Sequence, residues 1–412
     1  MDNERTINSV STADNEYSTG SKYIVIPQQS DYTSKLLLGL SKRPSIQLCH
    51  HGEFGQLNSP IKESDKLYLS SDTLFPLIQS KLTNSQSKII ETFRNKFLFR
   101  ELLKYRFVDY FYDTTDLSEL SQYKFNFTKC GKYIIKPCTG FMGAGVRIID
   151  RHTNLHEVCQ ALENELKTFS KHYPNVFSSK FLIEEYIESP NEYAVDIYYD
   201  NQGLPVVINI YCHPDAKRKE YLQMLYYTSA EIFELLYDKI LDFFTQLNDR
   251  LHLTSFPIHA EFKMDSSNQL FPLEFNPARF GGMGLADLTY YSFHFHAVQA
   301  FFRNEKPDWK EIWEKNPKKI FCWILGYNAA DKNITLYEPD HELFKQLLPH
   351  HVCLLNYEEL DYQTSPAFAI VYLSTENKED IQSILDIEFN DCFVLKREKV
   401  KVKSRSKLCE IL

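Results

Sequence analysis

The stretch from His259 to Asn276, HAEFKMDSSNQLFPLEFN, holds the residues best suited to chemistry. It reads as two alternating strands around a polar turn centred on Ser267 and Asn268. That register puts Glu261 opposite Glu274, His259 opposite Asn276 and Lys263 opposite Pro272 on one face, with Phe262, Met264, Phe271, Leu273 and Phe275 on the other. Directly opposed side chains of an antiparallel pair have Cβ atoms only about 4.5–5.5 Å apart, so two carboxylates there repel unless a cation lies between them. Two glutamates and an asparagine carbonyl are hard oxygen donors, better suited to Mg²⁺ arriving with phosphate oxygens than to zinc. The alternative is a solvated strand face with Lys263 as partial counter-ion. The next residues, Pro277-Ala-Arg-Phe-Gly-Gly282, favour the cation: Arg279 and two glycines suit a place where backbone closely approaches anionic oxygens.

Two further stretches carry candidate binding groups. Tyr133 to Ile149 reads as a strand ending in Lys136, a loop with Gly140, Gly143 and Gly145, and a second strand. Glycine-rich loops fold over phosphates with their N–H groups, and a lysine at the mouth adds a point charge; an ordinary glycine hairpin is the alternative. Phe181 to Tyr199 reads as two strands around a turn, with Glu184 after an apolar run and Glu192 opening the second strand. A strand edge beside a carboxylate can bond an adenine amino group, and a second carboxylate can hold ribose hydroxyls; pairing with lysines is the alternative.

The bulk numbers bound the partners. The 412 residues, 43% of them hydrophobic, suffice for two or three domains. A net charge of −9 disfavours nucleic acid and anionic membrane, which demand clustered Lys and Arg. No apolar run approaches the roughly 18 residues of a membrane span, and the polar segment Met1–Lys22 lacks a signal-peptide core, so a cytoplasmic location is expected. The nine cysteines are scattered singly, which suits reduced thiols rather than disulfides or a zinc site.

These elements must position the candidate groups. Residues 1–20 read as a disordered leader and 21–85 as a small parallel α/β domain without a dinucleotide fingerprint. Residues 85–106 read as one amphipathic helix with Arg94, Lys96, Arg100 and Lys104 off the apolar stripe and mostly solvated. A connection at Asp113-Thr-Thr-Asp and strands at 123–128 and 133–136 follow. Beyond them come a helix at 154–172, a strand at 205–211, helices at 229–251 and 287–302, and a charged linker at 303–319. Residues 320–412 form a small α/β appendage whose basic run Lys396–Lys407 reads as a solvated tail.

Taken in order, a helix lysine, a strand lysine before a glycine-rich loop, Glu184-Glu-Tyr-Ile187, Glu192 and the Glu/Glu/Asn hairpin resemble the ATP-grasp superfamily over residues 86–300. That resemblance implies an α/β and α+β chain. An N-terminal Rossmann-like domain (21–85) would precede an ATP-grasp domain of two subdomains (86–187 and 188–302). It further implies that Lys96 and Lys136 contact ATP phosphates and the Gly140–Gly145 loop closes over them. Glu184 with the backbone of Glu185 and Ile187 would read adenine, Glu192 hold ribose, and Glu261, Glu274 and Asn276 bind Mg²⁺, with Mn²⁺ as a substitute. Many family members carry an arginine two residues after the metal-binding asparagine, where this chain has Ala278; Arg279 is assigned to the transferring phosphate instead.

The implied activity is that of an ATP-dependent ligase acting on a small-molecule carboxylate and an amine, amino acids among the candidates. A substrate carboxylate attacks the γ-phosphoryl, and the acyl phosphate is captured by the amine with release of ADP and phosphate. The alternative is an ATP-binding regulatory or protein-modifying module. His259 is a candidate to orient substrate or act as a base, against a packed structural histidine with no visible acid partner.

Overall fold

The computed structural model describes residues 20–27, 32–57, 60–140, 143–172, 178–214, 223–329 and 331–396. The expected leader, save Gly20, and nearly all of the basic tail lie outside them. The chain divides into two compact units, Met1–Asp215 with Tyr226–Lys319, and Ala216–Leu225 with Ile320–Leu412.

In the first unit, β1 (Lys22–Ile26), β2 (Ile46–His50) and β3 (Lys66–Leu69) pair in parallel in the order β2-β1-β3, the small α/β arrangement expected. Ile24, Ile26 and Tyr68 share a buried cluster with Tyr198, Ile208, Phe280 and Phe301, so this sheet completes its core with later segments.

Strands β4 (Tyr112–Asp116), β5 (Tyr133–Pro137), β6 (Arg147–Ile149) and β7 (Lys180–Glu185) form an antiparallel sheet, β4-β7-β5-β6. β4 occupies the stretch expected to be a connection, whereas the expected strand at 123–128 is irregular. Tyr123, Phe125 and Phe127 instead nest their rings together and around Tyr133, so their alternation serves the core rather than a ladder. The helix Leu155–His172 covers the sheet, Leu162 and Leu166 joining Ile135, Ile149, Phe181 and Ile183.

A second antiparallel sheet holds β8 (Asn191–Tyr199), β9 (Pro205–Pro214), β10 (Gln223–Ser229), β11 (Phe256–Met264) and β12 (Leu270–Pro277), ordered β12-β11-β8-β9-β10. The helix Ala230–Leu251 lays Phe243 and Phe244 on Phe262 and Phe275. Phe93 and Phe99 reach Phe275 as well, so the apolar side of the β11–β12 hairpin is core and its other side is free for the acids. Pairing runs as expected from His259 to Glu261. Beyond Glu261 a bulge sets Phe262 opposite Pro272 and Lys263 opposite Phe271, correcting the expected Lys263–Pro272 pair. Pro272 has no N–H to give a ladder, which suits an extra residue beside it.

The single helix expected at 85–106 is two, Asn84–Arg94 and Lys96–Leu103. Asn95 leaves helical backbone and its side chain accepts from the amides of Phe97 and Leu98, capping the second helix at Lys96. The helix expected at 287–302 is likewise broken into Leu288–Phe293 and Ala297–Arg303 by His294 at φ 61°. The stretch expected as a linker carries the helix Trp309–Lys315, capped by Asp308; Trp309 Nε1 donates to the Val207 carbonyl at 2.9 Å.

In the second unit, β13 (Ile320–Tyr327), β14 (Tyr337–Pro339), β15 (Cys353–Glu359), β16 (Ala367–Thr375) and β17 (Phe393–Leu395) are joined by helices His341–Leu347 and Glu379–Leu385. β16 lies between β13 and β15, all antiparallel, and β14 pairs with β17. Among the described residues no helix is long and apolar enough to cross a membrane.

Candidate active site

The β11–β12 ladder sets Glu261 against Glu274 and His259 against Asn276. Lys96 Nζ lies 2.8 Å from Glu274 Oε2 and donates to the Gly140 carbonyl at 3.2 Å, while its backbone N–H donates to the Cys138 carbonyl at 2.8 Å. One ammonium thus ties the second helix, the glycine-rich loop and a β12 carboxylate together. Burial alone would raise both acids; the charge of Lys96 holds Glu274 below the ordinary carboxylate range. Burial and the neighbouring Glu274 push Glu261 above that range, with His259 opposing. A divalent cation held by these acids would relieve that repulsion, and the Asn276 amide would offer a third oxygen donor. Two carboxylates and an amide oxygen are hard donors, a set that would fit Mg²⁺ completed by phosphate oxygens or water.

His259 has the acid partner that the sequence reading did not find. Its Nδ1 lies 2.8 Å from Asp196 Oδ1 on β8, and its Nε2 lies 3.6 Å from Glu261 Oε1. Burial would lower its pKa, but the hydrogen bonds to Asp196 and Glu261 win and raise it to about 9. Asp196 is fully buried; Oδ2 accepts from the Tyr211 hydroxyl at 2.8 Å and Oδ1 also accepts from the Gly281 amide at 2.8 Å. It therefore joins β11 to the loop after Asn276.

Glu184 sits between two cations: Oε2 takes Arg100 Nε at 2.5 Å and Oε1 takes Lys136 Nζ at 2.5 Å. Burial would raise Glu184, yet Arg100 and Lys136 pull it down to about 2. Burial lowers Lys136, with Glu184 opposing and Arg100 and Lys96 adding to it. Arg100, expected to be solvated, is buried, and its Nη1 also donates to the Pro272 carbonyl at 2.6 Å, beside the hairpin bulge. It thereby fastens β7 to β12. Lys96, one of a charge run read as mostly solvated but assigned by the resemblance to the phosphates, is buried.

The glycine-rich loop is anchored at its exit. The Gly145 amide donates to Glu165 Oε1 at 2.9 Å, and Arg147 Nη2 holds the other Glu165 oxygen at 2.5 Å. Gly145 has φ 76°, and a Cβ there would lie 2.8 Å from Pro137 Cγ, so glycine alone fits. Gly140 and Gly143 also have positive φ, and Phe141 and Met142 lie outside the described residues. At the end of β7 the Glu185 amide donates to the Phe111 carbonyl at 3.1 Å, and the Glu185 carbonyl accepts from the Tyr110 hydroxyl at 2.7 Å. Ile187 follows on the loop to β8. Glu192 lies 3.5 Å from Lys263 Nζ, the lysine partner weighed as an alternative to ribose.

Arg279 is bidentate to Asp72, with Nε at 2.7 Å from Oδ1 and Nη2 at 2.6 Å from Oδ2. Ala278 before it has φ 58°, and its carbonyl accepts from the Leu69 amide at 2.8 Å. That left-handed residue lies between Asn276 and Arg279, the spacing at which this chain departs from the family pattern. Asp72, Asp196 and Arg100 were missed by sequence reading; an aspartate inside the apolar run YAVDIYY was the one visible signal.

Residues 131–287 match the model of the ATP-grasp domain. In fold the chain is similar to an L-amino acid ligase from Bacillus licheniformis at 15% identity, over 91% of this chain and 98% of that one, with a TM-score of 0.60. It is similar too to an N5-carboxyaminoimidazole ribonucleotide synthetase solved as its ADP complex (12% identity, 90% and 97% covered, TM-score 0.59). A biotin carboxylase from Campylobacter jejuni resembles it at 12% identity, 91% and 92% covered, TM-score 0.55. No curated protein matches the chain in sequence. Residues 131–287 thus carry an ATP-grasp domain, and the fold along the chain is similar to that of these ligases.

Proposed function

We propose that the chain is an ATP-dependent carboxylate–amine ligase acting on small molecules, amino acids among them, and working in the cytoplasm. The observation that carries this reading is the Lys96 ammonium held between Glu274 and Gly140, with Glu261 facing Glu274. A lysine, a phosphate-folding loop and a pair of opposed acids then converge where a nucleotide's terminal phosphate must lie. The similarity to an L-amino acid ligase supports the substrate class.

In this reading Glu261, Glu274 and Asn276 would hold Mg²⁺, which would supply positive charge to offset that on the transferring phosphoryl group. Lys96 and Lys136 carry positive charge toward the same oxygens, and Glu184 and Arg100 keep Lys136 in place. The loop from Gly140 to Gly145 supplies N–H groups and covers the phosphates. The resemblance gives adenine to Glu184, but with its carboxylate taken by Arg100 and Lys136 the backbone of Glu185 and Ile187 is left to face adenine, and Glu192 the ribose. Arg279, set beside Asp72, meets the developing acyl phosphate. Residues 21–85 contribute Asp72 to the substrate side, residues 86–302 hold the nucleotide, and residues 320–412 are an appendage.

The test is ADP release by the full chain given MgATP and pairs drawn from the twenty L-amino acids. Release stimulated by a particular pair, and abolished by Glu274→Gln, is expected. Tight ATP binding with no stimulated release by any pair would overturn the reading.

A further inference from the structure

The cleft beside the opposed acids is lined by Asp72, Arg94, Lys96, Gly140, Glu274 and Asn276 among others. Three of its four charged side chains are already matched: Lys96 and Glu274 pair with each other, and Asp72 takes Arg279 through both oxygens. Arg94 is different. Among the described residues none accepts a hydrogen bond from its guanidinium or forms an ion pair with it; the guanidinium carbon lies over the Phe75 ring, 4.8 Å from its centre. An aromatic face occupies the plane of a guanidinium and leaves the fork of N–H groups at its rim unmet. Burial lowers the Arg94 pKa and Asp72 opposes this only in part, so the surroundings alone do not favour a charge there.

Position narrows what the fork meets. Asp72 follows β3 directly, at the carboxyl end of the parallel sheet, the edge at which open α/β sheets bind small ligands. Arg94 closes its helix two residues before Lys96, so it lies between that edge and the phosphate side. Asp72 beside it is neutralised by Arg279, which leaves Arg94, among the described residues, as the cation of this cleft without an acid of its own.

Resting on the ligase reading above, we propose that Arg94 is a substrate-binding residue that takes the α-carboxylate of an amino acid in a two-pronged hydrogen bond. A guanidinium fork matches a carboxylate in shape, whereas a lysine supplies only a point charge.

Thermal unfolding of the full chain saturated with MgADP tests this, with each of the twenty L-amino acids and, separately, inorganic phosphate as probes. At least one amino acid raises the Tm of the natural protein. Arg94→Gln loses that rise while keeping the rise from MgADP, which shows that it folds, and Arg94→Lys recovers part of it. In turnover, Arg94→Gln raises KM for that amino acid about tenfold or more and leaves KM for ATP within about twofold. The proposal is overturned if no amino acid raises the natural protein's Tm or if the rise survives in Arg94→Gln. It is equally overturned if Arg94→Gln loses the response to MgADP or phosphate instead, which would make the anion a phosphoryl group. Amino-acid binding through Arg94 without ADP release would sink the ligase reading and leave this one standing; ADP release with KM unchanged in Arg94→Gln would do the reverse.

Discussion

Lys96 Nζ stands 2.8 Å from Glu274 Oε2 and 3.2 Å from the Gly140 carbonyl, so a single ammonium couples a β12 acid to the glycine-rich loop. Charge-assisted hydrogen bonds are worth about 1.5–3 kcal/mol each. Lys96→Gln should therefore raise KM for ATP roughly 10- to 100-fold with the fold retained, as read by steady-state kinetics and circular dichroism. An unchanged KM would show that this lysine only packs the loop.

Glu184 with its two cations is a stability element as well as a support for Lys136. Its folded pKa of about 2 lies below its ordinary 4.5, so its contribution is complete above 4.5 and is lost as pH falls through about 2. That difference corresponds to on the order of 3 kcal/mol. Glu184→Gln leaves Arg100 and Lys136 buried together without their acid and should destabilise at neutral pH by about 3–5 kcal/mol. Chemical denaturation of both proteins at pH 7 and pH 3 checks this: the gap between them narrows at the lower pH.

Asp196 bonds Tyr211, His259 and the Gly281 amide. Asp196→Asn converts one acceptor oxygen into a donor facing groups that donate themselves, and leaves His259 less supported. A loss of about 2–4 kcal/mol in denaturation is expected, with weaker MgATP binding because His259 and the Gly281 loop both flank the opposed acids. Stability within 0.5 kcal/mol or so of the natural protein would contradict the network.

Ala278 holds φ 58° while almost fully buried. A left-handed alanine costs roughly 1 kcal/mol, part of which glycine recovers and part of which it loses in the unfolded chain. Ala278→Gly should stabilise by up to about 1 kcal/mol, raising Tm by a few degrees at most. A marked loss instead would mean that the methyl packing outweighs the backbone strain.

The hairpin was legible because alternation and a polar turn set the register of Glu261 and Glu274, and the bulge beyond them was not, because proline's effect on a ladder depends on its partner. The parallel N-terminal strands read correctly from short apolar runs. β4 escaped notice because Asp113-Thr-Thr-Asp has no apolar alternation; as the outer strand of its sheet it is largely uncovered. Residues 123–128 misled for the opposite reason, their aromatics alternating to pack on Tyr133. Arg100 and Asp72 could not be picked out from spacing, since their partners Glu184 and Arg279 lie 84 and 207 residues away. The helix at Trp309–Lys315 was legible in principle from two tryptophans at helical spacing after a capping aspartate.

The central claim is that Glu261, Glu274 and Asn276 hold the cation that arrives with ATP, and calorimetric titration of ATP into the natural protein and Glu274→Gln, once with Mg²⁺ and once with EDTA, tests it most directly. With Mg²⁺ the variant should bind about tenfold or more weakly, whereas with EDTA, where a negative charge beside the phosphates has been removed, its affinity should be equal or better. Equal affinities with Mg²⁺, or the same loss with and without it, would contradict the account.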